Sequence, residues 1–515
     1  MVNKMLGHSL DPDTMKILED AKTAGIPFFV NPYYLSLMYV RVPSFAIGGD
    51  LAMRDYVLYS RRLVEEFGDI TAWEKEDRVK LGEPNAAGWL IPEHNLHRRY
   101  PEVAILIPDT VGRACGGLCS SCQRMYGFQS GELNFDLERL KPKESWKEKL
   151  QRLMAYFEND SQLRDILVTG GDALMSSNTS LETILNAIYE MAIKKRDANR
   201  HRQPSEKYAE IVRVRLGTKL PVYLPQRIRP DLIKVLAEFK KKASKIGIRQ
   251  FIVQTHFESP LEVTPESRAG IQALLSAGWT VTNQLVFTAA ASRRGHTARL
   301  RQVLNEIGVL SYYTFTVKGY MENSHNFATN ARIVQEMVEE KIYGRIPVKF
   351  HESIEQFPMD AENMVENIAT IKEKAGLPFL ATDRSVLNLP GVGKSMTFRV
   401  IGITRYGRRI LEFEHDATRI HSPIIEEMGK VIIVESKSIR EYLNQLMEMG
   451  ESIEDYDGIY GYSMAEIEDR LPVFNYPGDE AWITKEITNL QISAQQSRAR
   501  FGLPSGHDSQ KQVFL

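Results

Sequence analysis

Cys115, Cys119 and Cys122 are the three cysteines of this 515-residue chain, and all fall in one eight-residue stretch, C-G-G-L-C-S-S-C. Three residues separate the first pair and two the second. Cysteines kept as small buried hydrophobes would be scattered, so the clustering points to a metal centre. Structural zinc takes four protein ligands, and catalytic zinc usually includes histidine or carboxylate; no histidine lies in the stretch. A cube of four irons can be held by three thiolates, which leaves one iron open as a catalytic position.

Two further segments carry chemistry. Gly170-Gly171-Asp172 follows Thr169; its glycines let the backbone come close to a ligand and Asp172 can accept from an ammonium, although such a tripeptide is also a common turn. Leu389-Pro390-Gly391-Val392-Gly393-Lys394-Ser395 ends like a nucleotide P-loop, but the first glycine of that motif would fall at Asn388. A lysine on a glycine-rich loop can instead form a Schiff base with an aldehyde cofactor such as pyridoxal phosphate, the alternative being a plain surface loop. His94-x-x-His97, in a loop-like segment without the cysteine or carboxylate geometry of a metal site, reads as polar surface.

These groups need a scaffold. Between about residues 100 and 385, short β-rich runs (Val103 to Ile107, Ile166 to Thr169, Ile211 to Leu216, Phe251 to Thr255, Thr280 to Phe287, Tyr312 to Val317, Phe379 to Thr382) alternate with helix-like segments such as Leu181 to Lys194, Pro230 to Lys241 and Ser267 to Ala277. That alternation predicts parallel βαβ units, with a functional site beyond the C-terminal strand ends. Gly170-Gly171-Asp172, His256 and Lys318 each follow such a run, and Gln284 lies within one. Tyr56 to Phe67 has helical spacing, Phe398 to Ile403 and Arg409 to Phe413 flank a turn and predict a β-hairpin, and Ile439 to Met449 predicts a helix. Residues 490–515 read as a loose tail.

The net charge of −1, with both signs interspersed, argues against nucleic acid or an anionic membrane as partner. An odd, tightly spaced cysteine set argues against a secreted disulfide framework. The N-terminus lacks the apolar core of a signal peptide and no run approaches a spanning helix. A soluble, cytoplasmic protein is expected.

The C-x-x-x-C-x-x-C spacing after a first strand, with Gly-Gly-Asp after the second, resembles the radical S-adenosylmethionine superfamily. A longer resemblance, over roughly residues 30–400, is to the lysine 2,3-aminomutase family, radical enzymes that also use pyridoxal phosphate. It is carried in order by N-P-Y-Y-L-S-L from Asn31, H-R-R-Y-P-E from His97, T-G-G-D-A-L from Thr169, V-Y-L-P-Q-R-I from Val222, Q-T-H-F from Gln254, T-N-Q-L-V from Thr282 and P-G-V-G-K from Pro390.

The resemblance implies a [4Fe-4S] cluster on Cys115, Cys119 and Cys122, and S-adenosylmethionine at Gly170, Gly171, Asp172, His256 and Gln284. It implies pyridoxal 5′-phosphate on Lys394 with Arg99 as a phosphate clamp, and the substrate α-carboxylate on Arg124. The fold it implies is α/β: a partial (β/α)6-type parallel barrel over 96–395, between a helical N-terminal region over 1–95 and an α+β C-terminal extension and tail over 396–515. Partners would be an amino acid, a low-potential electron donor such as flavodoxin or ferredoxin, and further copies of the chain.

Departures from the family pattern are informative. There are no extra cysteines for a structural zinc, a second basic position after R-Y-P is Val103, and the chain beyond about 430 has no counterpart. Where the lysine enzymes grip the substrate's terminal ammonium with two aspartates, this chain places Lys318 and Asn388. At an effective dielectric of 20, like charges 4 Å apart cost on the order of 4 kcal/mol, about a thousandfold in affinity. Lysine would be repelled and a distal carboxylate welcomed, a pattern that resembles glutamate 2,3-aminomutases. The implied reaction moves the amino group of L-glutamate from C2 to C3. The alternatives are an aminomutase for glutamine or lysine and, from another class, a non-catalytic iron-sulfur electron carrier.

Overall fold

A computed structural model describes residues 2–5, 8, 10, 12–26, 28–38, 51–67, 81–85, 88–110, 115–122, 144–316, 325–387, 398–404, 406–414, 430–461 and 473–474. An eight-stranded sheet runs in chain order through β1 (Leu96–Tyr100), β2 (Val103–Leu106), β3 (Asp165–Val168), β4 (Arg213–Gly217), β5 (Gln250–Thr255), β6 (Thr280–Val286), β7 (Val309–Thr316) and β8 (Arg384–Leu387). β1 is antiparallel to β2, and every later pairing is parallel. Helices Trp146–Asn159, Asn178–Arg200, Pro230–Ala243, Pro265–Ser276, His296–Glu306 and Met364–Ala375 each fall within one of the successive connections from β2 to β8. That regular crossover is why the spatial order of the strands equals their order in sequence.

Local chemistry accounts for these elements. In Trp146–Asn159 the buried residues Leu150, Leu153, Met154 and Phe157 recur at helical spacing. Ser177 and Thr264 cap their helices by accepting the backbone N–H of Ser180 and Ser267, both at 3.1 Å, and proline opens Pro230–Ala243 and Pro265–Ser276.

The two faces of the sheet differ. Ala104, Leu106, Ile166, Val168, Val214, Leu216, Phe251, Val253, Val281 and Val309 are buried in the main hydrophobic core with the helices. Parallel register places the intervening residues together on the other face: Asp165 beside Arg213, Gly217 beside Gln254 and Gln254 beside Thr282. Parallel strands between two helix layers are usually apolar on both faces; here one face is polar, and Arg215 on it donates to Asp165 at 2.9 Å and to Gln254 at 3.1 Å.

Two expected elements are corrected. Tyr56 to Phe67 is not one helix: Leu51–Val57 ends and Arg61–Glu66 begins anew, because Ser60 caps the second by accepting from Leu63 N at 3.1 Å while the Tyr56 carbonyl accepts from Ser120. The run Phe379 to Thr382 is not a strand, since Leu380 N donates to the Asn305 side chain and Ala381 N to Gly344 O; the strand is β8. His97 lies within edge strand β1, preceded by His94 in a turn.

Strands β9 (Phe398–Thr404), β10 (Arg409–Glu414), β11 (Lys430–Val434) and β12 (Val473–Phe474) form a second sheet in the order β11-β10-β9-β12. β9 and β10 pair antiparallel as expected, and helix Ile439–Glu448 follows β11. Arg409 and Asn330 meet on Glu435, and Tyr442 bonds Ser292 at 2.6 Å. No helix among the described residues is long and apolar enough to cross a membrane.

Candidate active site

The three cysteines occupy the connection after β2, and the N-terminal segment holds them in place. Leu118 N donates to Phe29 O at 2.9 Å, Asn31 Nδ2 to Gly116 O at 3.0 Å and Ser120 N to Tyr56 O at 2.8 Å. A side chain at Gly117 would come within 3.1 Å of the Tyr223 ring, and one at Gly116 within 3.3 Å of Leu220; both glycines therefore let the loop lie flat on helix Leu220–Tyr223. None of the three cysteines is in a disulfide, and all three are partly exposed. Three thiolates are a donor set that can hold a cube of four irons and leave one iron open.

Cys119 sits against a tyrosine. Its Sγ lies 3.1 Å from the Tyr223 hydroxyl. Burial pushes it up to about 11, while Lys219 and the hydroxyls of Tyr223 and Tyr56 pull the other way.

Across the next strand, Gly170 has φ +112°, and a Cβ there would come within 2.7 Å of Ile107. Gly217 likewise has Thr169 Oγ1 at 2.5 Å from where a Cβ would stand. The turn after β3 thus requires glycine at two touching points. Asp172 is 1% exposed and engaged on both oxygens: Oδ1 accepts from Thr218 Oγ1 at 2.5 Å and Leu174 N at 3.1 Å, and Oδ2 from Lys219 N at 2.6 Å. Its carboxyl is pushed up to about 6 by burial against these donors. In this arrangement Asp172 ties the turn after β3 to the end of β4 rather than presenting a free carboxylate to an ammonium.

His256 follows β5, and burial together with the Lys219 charge pushes its imidazole down to about 3 against a bond at the Gln284 backbone. His256 and Gln284 are therefore neighbours, and the ring is neutral near pH 7. His256 Nδ1, Gln254 Nε2 and Thr282 Oγ1 are buried without hydrogen-bond partners among the described residues. Buried polar atoms are normally satisfied, so these orphans, at the end of β5 and within β6, fit a polar ligand such as S-adenosylmethionine.

Arg124, Lys318, Asn388 and Lys394 lie outside the described residues; Arg99 is described only as backbone in β1. Sequence reasoning missed a buried group next to the cysteines: Lys219, Glu258, Glu262, Tyr34, Tyr56 and Tyr223. Tyr34 Oη donates to Glu262, whose other oxygen accepts from Glu258 N at 2.5 Å and Ser259 N at 3.0 Å. The available signals were Lys219 two residues beyond the end of β4 and two glutamates shortly after β5.

No family model matches the chain. It is 28% identical over 471 residues, 90% of its length and 62% of the relative's, to an uncharacterized KamA family protein of Methanocaldococcus jannaschii. It is 28% identical over 317 residues, 61% of this chain and 60% of the relative, to an L-lysine 2,3-aminomutase of Methanococcus maripaludis. With glutamate 2,3-aminomutase of Clostridioides difficile it shares 29% over 333 residues, 63% of this chain and 64% of that one. The matched regions span less than two thirds of each of these relatives' lengths.

Proposed function

We propose that the chain, similar to KamA-family and 2,3-aminomutase relatives, is a member of the lysine 2,3-aminomutase family: a radical S-adenosylmethionine isomerase moving the amino group of L-glutamate from C2 to C3, giving β-glutamate. The observation that supports this reaction class is positional. The three-thiol loop after β2, the glycine turn after β3 and His256 after β5 all follow C-terminal ends in one parallel sheet, the edge where such folds place their chemistry. The sheet is read as a partial barrel with its polar face as the interior.

When bound, a [4Fe-4S] cluster with S-adenosylmethionine would supply a carbon radical able to abstract hydrogen, and pyridoxal phosphate the conjugated system that spreads the unpaired electron. The chain's own groups bind, position and shield. Cys115, Cys119 and Cys122 hold the cluster; Gly170 and Gly171 give the methionine end close backbone, with Asp172 fixing their turn. Neutral His256, beside Gln284, adds no positive charge near a cationic sulfonium. Lys394 and Arg99 hold pyridoxal phosphate, Arg124 the α-carboxylate, and Lys318 with Asn388 the distal carboxylate. A low-potential donor of the flavodoxin or ferredoxin kind delivers the electron.

A second reading, lysine as substrate, is favoured by the similarity to the Methanococcus maripaludis protein. Incubating the reconstituted full chain without air with S-adenosylmethionine, dithionite and L-glutamate, L-glutamine or L-lysine, then resolving the products, decides between them. β-Glutamate is expected, with activity lost in Lys394→Ala and Cys119→Ala. Lysine isomerised while glutamate stays unchanged overturns the substrate, and no isomerisation by cluster-loaded protein favours the electron carrier.

A further inference from the structure

The buried lysine next to the cysteine loop has no role in the reading above. Lys219 follows β4, its side chain is 8% exposed, and Nζ has no hydrogen-bond partner among the described residues. Instead Nζ lies 3.6 Å from the ring centroid of Tyr56, 4.9 Å from that of Tyr223 and 5.9 Å from that of Tyr34, a cage of aromatic faces that suits a cation. Glu262 Oε1 stands 3.9 Å away, beyond hydrogen-bond reach, and that carboxylate is already engaged by Tyr34, Glu258 N and Ser259 N.

The same rings face the cysteines. The Tyr223 hydroxyl lies 3.1 Å from Cys119 Sγ. A buried lysine without hydrogen bonds is costly to keep, and its cage joins it to one of the three thiols.

We propose that Lys219, caged by Tyr34, Tyr56 and Tyr223 next to Cys119, sets the reduction potential of the cluster on the three cysteines, with the Tyr223 hydroxyl acting on the Cys119 sulfur. The inference rests on the reading that these cysteines hold a [4Fe-4S] cluster. Thiolate-ligated clusters carry net negative charge, and one-electron reduction adds another; potential follows net charge, hydrogen bonds to sulfur and solvent exposure. A fixed positive charge and a hydroxyl donor beside one thiolate both favour the reduced state. Lys219 is thus a positioning residue of electrostatic kind.

The test is a potentiometric titration of the reconstituted full chain with dithionite as one-electron reductant, followed by electron paramagnetic resonance, with iron and sulfide measured on the same samples. Lys219→Met keeps the stem and removes the charge; Tyr223→Phe removes only the hydroxyl. Both are expected to assemble the cluster and to shift the midpoint to lower potential, Lys219→Met further. An unchanged midpoint in cluster-loaded Lys219→Met overturns the inference; if that variant does not assemble, an unchanged midpoint in Tyr223→Phe does so. Wild-type chain that takes up no iron and sulfide removes the underlying reading, a different result from an assembled cluster with an unmoved potential.

Discussion

Asp172 Oδ2 accepts the backbone N–H of Lys219 at 2.6 Å, so the residue that follows the glycine turn after β3 also fixes the start of the segment leaving β4. One carboxylate thereby joins the connections that follow two neighbouring strands.

Asp172→Asn tests that strut. An amide offers one acceptor where Thr218 Oγ1, Leu174 N and Lys219 N supply three donors, and its NH2 meets another donor. A loss of about 1–3 kcal/mol is expected in chemical unfolding. Unchanged stability with weakened S-adenosylmethionine binding in calorimetry would show instead that the carboxylate serves the ligand directly.

Asp383 anchors the sheet to the helix before β7. It accepts from Arg301 Nε at 3.0 Å and Nη2 at 2.9 Å, from Lys341 at 2.9 Å and from Thr314 at 2.7 Å. Burial alone would raise its pKa, but Arg301 and Lys341 hold it well below the ordinary 3.8. Because the folded value is depressed, this stabilisation is present above about pH 4 and fades as pH falls. Asp383→Asn leaves Arg301 under-compensated and is expected to cost about 3–5 kcal/mol in urea unfolding at neutral pH.

Glu258 has the opposite sign. Burial, with Glu262 adding to it and Lys219 opposing, pushes its carboxyl from 4.5 up to about 8. The folded state therefore binds more protons than the unfolded one across that window, and stability falls as pH rises through it, by an amount on the order of a few kcal/mol. Glu258→Gln, which keeps an oxygen for the Val286 N–H seen at 3.2 Å, should flatten the thermal stability profile between pH 5 and 8.

Substrate choice is expected to follow Lys318 and Asn388. Replacing both with aspartate supplies two anions where a cation and an amide stand, and the ratio of kcat/KM for glutamate over lysine should drop by about a thousandfold if one close charge contact of on the order of 4 kcal/mol is reversed. A ratio within a few fold of wild type would place the substrate's distal end elsewhere.

Much of the scaffold was legible because it rests on local patterns. Runs such as Phe251 to Thr255 and Thr280 to Phe287 are apolar, β-branched and bounded by helical periodicity, and they become β5 and β6. The cysteine spacing and the Gly170-Gly171-Asp172 turn are equally local. Phe379 to Thr382 misled because its backbone partners, the Asn305 side chain and Gly344 O, are not strands.

The sequence by itself supplied the candidate chemistry: three thiols in one loop, a lysine on a glycine-rich segment, and Lys318 with Asn388, which are proposed for the substrate's distal end. Only the tertiary structure decided what surrounds those thiols. Tyr34, Tyr56, Cys119, the Lys219–Tyr223 turn and Glu262 come from distant segments of the chain, and nothing local marks Lys219 as buried. Burial and cage geometry are sums over the whole fold, which is why a lysine that reads as solvated in sequence stands next to the cysteine loop in space.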